Sequence, residues 1–161
     1  MLLPFEKIPP TMAELKNKNS KWRTQYYLLT SADQLNQFIA DMQDVANNPN
    51  KYKISEFHVD SQVDGSPFVM VRYYDDEKLD AVKEKKITVW GKLFTVSEFS
   101  DLDYILNQHD RTKLFLLAEK RLSFKTGDFF ILLIWATVDK PTKFTEGLDV
   151  LRTRFINAFS K

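Results

Sequence analysis

The segment YKISEFHVD, Tyr52 to Asp60, sets Glu56, His58 and Asp60 at alternate positions. Successive side chains of an extended chain point to opposite faces, so these three share one face and Phe57 and Val59 take the other. Carboxylate, imidazole and carboxylate together could hold a metal or run acid–base chemistry, because histidine titrates near neutrality. Any half-buried strand shows the same polar alternation to water. A zinc site would also want more nitrogen or sulfur ligands than two histidines and no cysteine supply. A metal- or acid/base-dependent enzyme at Glu56, His58 and Asp60 is therefore the third-ranked reading, and no cofactor or resident metal is expected.

The remaining chemistry-bearing residues point to structure. His109, in NQHDR, is expected in the last turn of a helix, where a partly positive ring suits the carbonyl end of the dipole. YYDDE at 73–77 lacks the ligand spacing of a calcium loop; Asp75 or Asp76 is expected to cap a short helix instead. With four glycines in all, there is no phosphate-cradling loop. A GxSxG elbow and an HExxH helix are absent too.

Nucleic-acid binding is the second reading. Lysines and arginines cluster at Lys16, Lys18, Lys21 and Arg23, at Lys83, Lys85 and Lys86, at Lys120, Arg121 and Lys125, and at Arg152 and Arg154. They would form basic edges of a sheet, with Tyr26 and Tyr27 available to stack on bases. Residues 21–94 follow the strand and helix order of an RNA-recognition module. In the corresponding third-strand register, however, the positions that should stack on bases hold Ser66 and Val71, and the basic one is Asp64. Net charge is only +1, from 23 basic and 22 acidic residues, whereas phosphate neutralisation normally supplies a binder's affinity.

The elements that must position these residues read clearly. Residues 1–20 form a proline-rich arm and a short helix, and residues 21–161 a single domain. Ser31 and Gln34 make a capping pattern ahead of Leu35, Phe38, Ile39, Met42, Val45 and Ala46, one helical stripe that NNPN stops. Strands are expected at Lys21–Thr30, Tyr52–Asp60 and Pro67–Tyr74, the last two joined at Asp64-Gly65. DDEKLDAVKEK makes at best a weak helix. A strand from Lys85 bulges at Gly91, a helix capped by Ser97 or Ser100 carries Phe99, Leu102, Ile105 and Leu106, and two strands join across Lys125-Thr126-Gly127. A last helix presents Phe144, Leu148, Leu151, Phe155 and Phe159.

This order makes the fold α+β: one continuous antiparallel sheet or two packed half-units, with helices mainly on one face and a repeated β-α-β-β-α pattern over half-units 21–84 and 85–161. The run from Phe129 to Ala136 is apolar on both faces. It is too short to span a membrane. Phe129, Ile131, Leu133 and Trp135 share one of its faces, and a monomer rarely exposes so large an apolar patch. They are the expected contact surface for a second copy or another protein. The first reading is accordingly a non-enzymatic, soluble interaction or assembly protein that forms homodimers. The first ten residues lack the pattern of a signal peptide, so a cytoplasmic location is expected.

Overall fold

A computed structural model describes residues 20–123, 129–139 and 145–159. The expected arm (apart from Ser20), the Lys125-Thr126-Gly127 turn and Phe144 lie outside these residues. The elements are β1 (Ser20–Leu28), α1 (Ala32–Asn47), β2 (Tyr52–Ser61), β3 (Pro67–Asp76), β4 (Ile87–Thr95), α2 (Asp101–Asn107), β5 (Leu114–Ser123), β6 (Phe129–Val138) and α3 (Thr145–Phe159). Single 3-10 turns at Val96–Glu98 and Arg111–Lys113 flank α2.

The chain is α+β as expected, and of the two arrangements its strands take the second: two antiparallel three-stranded sheets, ordered β1-β3-β2 and β4-β6-β5. Their registers match. Ser20 to Leu28 pair with Asp76 to Phe68, and Ile87 to Thr95 pair with Val138 to Phe130 in the same sense. Both hairpins shift register after the third pair, with Ser55 and Leu117 as the extra residues. A bulge of this kind bends a strand and increases its twist. The helices do not repeat: α1 has 16 residues where α2 has seven, and no helix follows β3 as α3 follows β6.

The stripe read from the sequence forms α1 as expected, with all six apolar residues buried. Ser31 Oγ accepts from the Gln34 amide at 3.3 Å, while Gln34 Oε1 accepts from the Leu28 amide at 2.7 Å. The helix lies between the sheets. Phe38 meets Tyr27 and Phe57 of the first sheet, and Ile39 lies against Gly91 of the second. Each of these buried side chains contributes on the order of 1.5–3 kcal/mol relative to exposure. Helix α3 shares the layer through Leu148, Leu151 and Phe155, the last packed on Phe57. Helix α2 lies on the far side of the second sheet, so the layers run first sheet, α1 with α3, second sheet, α2.

Two local expectations are corrected, and the turn expected at Asp64-Gly65 is present. Residues 77–86 form no helix, because Leu79, Ala81 and Val82 give too little apolar area to bury; side chains of Asn47 and Asn48 hold this link instead. Strand β4 is unbroken at Gly91. There the missing side chain admits Ile39. At the β2–β3 turn, Gly65 has φ 91°, a conformation that favours glycine, and Asp64 Oδ1 accepts from the Ser66 amide at 2.8 Å.

Candidate interaction surface

The outer face of the first sheet is built by alternation. Its rows read Lys53–Tyr74–Trp22, Glu56–Arg72–Thr24, His58–Met70–Tyr26 and Asp60–Phe68–Leu28 across β2, β3 and β1. Trp22 is 46% exposed and Tyr26 48%. Trp22 meets Tyr74 edge-on at 5.0 Å, and Tyr26 meets Phe68 at 4.9 Å. Between these ring pairs Arg72 donates to Thr24 Oγ1 at 3.3 Å and pairs with Glu56 at 3.3 Å. Gln62 Nε2 donates to the Tyr26 hydroxyl at 2.6 Å. No helix among the described residues packs on this face.

Glu56, His58 and Asp60 do share this face, as period two requires, but they do not converge. Glu56 turns to Arg72, His58 lies opposite Met70, and Asp60 Oδ1 accepts from the adjacent Ser61 amide at 2.8 Å. Among the described residues no group of three histidine or acidic side chains could hold a metal ion. Beside the β2 edge lies a cleft of about 420 Å³, lined in part by His58, Asp60, Lys120 and Arg154. Arg154 is committed there, donating to the Ile54 carbonyl at 2.9 Å.

The expected contact residues are placed differently. Leu133 is 2% exposed, Trp135 4% and Ile131 8%, with Phe129 half-buried. Phe99, Leu102, Ile105 and Leu106 pack over Leu133 and Trp135, so the chain itself covers these two, while Trp90 and Leu116 on either side of Trp135 stay 40% and 50% exposed. His109 belongs to the same cluster. It sits beyond the end of α2 and its Nε2 accepts from the Trp135 indole N–H at 3.1 Å, in place of the helix-end role expected for it. Trp90 stacks parallel to Trp135 at 6.3 Å, its own N–H bound to Thr137.

A polar cluster closes one end of the first sheet. Asp75, with 8% of its side chain exposed, lies 3.0 Å from Arg23 and 2.8 Å from Lys51, the latter off the preferred hydrogen-bond direction. Burial opposes ionisation of Asp75, but Lys51 and Arg23 outweigh it and hold its carboxyl below the usual range. Tyr27 donates to Asp41; burial, then that bond, pushes its phenol far above the ordinary value. The Asp75 ion pairs and the Tyr27–Asp41 hydrogen bond tie β1, α1 and β3 together. The sequence reading missed this cluster, since Asp75 pairs inward instead of capping a helix.

No family model, curated protein or solved structure matches the chain. What defines it is the fold, an α+β chain of two three-stranded sheets. No helix among the described residues is long and apolar enough to cross a membrane.

Proposed function

We propose that this is a soluble, cytoplasmic, non-enzymatic interaction or assembly protein whose contact surface is the open face of the first sheet. One observation carries the reading: Trp22 and Tyr26 stand about half exposed beside Phe68, Met70, Arg72 and Tyr74 on a face that no described helix covers, whereas α2 covers Leu133 and Trp135 of the second sheet and leaves only Trp90 and Leu116 exposed beside them. Aromatic residues, methionine and arginine are the types enriched at protein–protein contacts, and tryptophan, tyrosine and arginine dominate their energetics. The face has Lys53 and Arg72 against Glu56 and Asp60, so it offers no surplus of positive charge to phosphate. That balance favours a protein partner over a nucleic acid.

The partner is a second copy of the chain. Sedimentation of the full chain from micromolar to millimolar concentration tests this. The average mass is expected to rise with concentration, and W22S/Y26S is expected to stay monomeric while folding normally. A wild-type chain that remains strictly monomeric throughout would defeat the self-association.

A further inference from the structure

The charge pattern of the open face is self-complementary in one orientation, and we infer that two copies meet there about a two-fold axis that crosses the strands between Arg72 and Met70. This rests on the self-association just proposed and adds its geometry. Down β2 the face reads Lys53, Glu56, His58, Asp60; down β3 it reads Tyr74, Arg72, Met70, Phe68; down β1, Trp22, Thr24, Tyr26, Leu28. A two-fold axis lying in the interface at right angles to the strands reverses each column against itself.

Lys53 then faces Asp60 of the second copy, and Glu56 faces His58. On the central strand Tyr74 meets Phe68 and Arg72 meets the thioether of Met70. On β1 Trp22 covers Leu28, and Tyr26 drops over the short Thr24. No row sets like charge on like charge, and Lys53 and Asp60 meet as opposite charges twice. An axis along the strands does the reverse, setting Arg72 directly over Arg72, a like-charge contact that specific interfaces avoid. Isologous contacts of this kind close on themselves, so the product is a dimer and not a fibre.

The size of the face sets the strength. Three strands about 4.8 Å apart and nine residues of about 3.4 Å each give roughly 400 Å² per copy. A stable interface buries about 800 Å² per partner. The dimer is therefore reversible and dissociates on dilution.

A charge-exchange series at low ionic strength tests the axis, read by sedimentation with thermal unfolding as the check on folding. Lys53 and Asp60 lie at opposite ends of β2, about 20 Å apart in an extended strand, too far to pair within one chain. K53D places like charges across the interface twice, and so does D60K. Each is expected to weaken association about ten-fold, the scale of two exposed charge pairs turned repulsive. K53D/D60K restores both contacts and is expected to recover wild-type association. If the wild type associates but the single variants do not weaken it, or the double variant does not recover, this axis is wrong and the interaction reading stands. A wild type that never associates overturns both.

Discussion

Ile39 of α1 occupies the space where Gly91 of β4 has no side chain. A Cβ at position 91 would fall 2.8 Å from Ile39 Cγ1 and closer still to its Cδ1, with Ile134 Cγ1 at 3.7 Å below. This contact lets α1, which belongs to the first three strands in sequence, lie against the second sheet. Gly91→Ala is expected to cost about 1–3 kcal/mol through overpacking. Ile39→Val removes the Cδ1 methyl and alone costs about 1 kcal/mol. Combined, the two should cost less than their sum in denaturant unfolding, because they share one contact. Strict additivity would show that the close approach is not what position 91 is for.

Asp75 makes stability depend on pH. Its carboxyl is depressed in the folded chain, so the stabilisation is complete above the ordinary carboxylate range and is lost as pH falls through the folded value. Asp75→Asn leaves Lys51 and Arg23 without their shared partner. We expect a cost of about 2 kcal/mol at pH 7, below the range for fully buried pairs because Arg23 is partly exposed. Unfolding measured from pH 7 to pH 2 should show the gap between variant and wild type narrowing below about pH 4. A gap that is constant with pH would remove the carboxylate from the account.

The free edge of β4 is capped by side chains of α1. Asn47 Oδ1 accepts from the amides of Lys86 and Ile87 at 3.0 Å, its Nδ2 donates to the Ile87 carbonyl at 2.8 Å, and Gln43 Oε1 accepts from the Val89 amide at 3.0 Å. Edge strands left open invite pairing with other chains. Asn47→Ala strands these backbone groups at about 1–3 kcal/mol in total. Faster hydrogen exchange at the Ile87 amide would report the loss; unchanged protection there would contradict the capping role.

The two exposed rings and the two covered residues should respond in opposite ways. Leu133→Ala opens a cavity under α2 and is expected to cost about 2–5 kcal/mol without changing self-association. W22S/Y26S removes two exposed ring contacts, costs about 1–2 kcal/mol, and abolishes association. Paired unfolding and sedimentation data on these variants decide between the two faces.

The sequence by itself determined what depends on neighbours along the chain. Helix α1 was legible because Leu35, Phe38, Ile39, Met42, Val45 and Ala46 repeat at helical spacing, and the sharing of a face by Glu56, His58 and Asp60 follows from period two alone. Only the tertiary structure decided what lies against each face. Trp135 and Trp22 both come from strands rich in apolar and aromatic residues, yet one is buried under α2 and the other stands in solvent. Their difference lies in where a connecting helix packs: α2 covers Trp135 of its own sheet, whereas α1 settles between the sheets. Asp75 likewise meets Arg23 and Lys51 only because β3 pairs with β1 and β2. Burial is a property of contacts between distant segments, and local periodicity specifies which residues share a face without specifying what covers it.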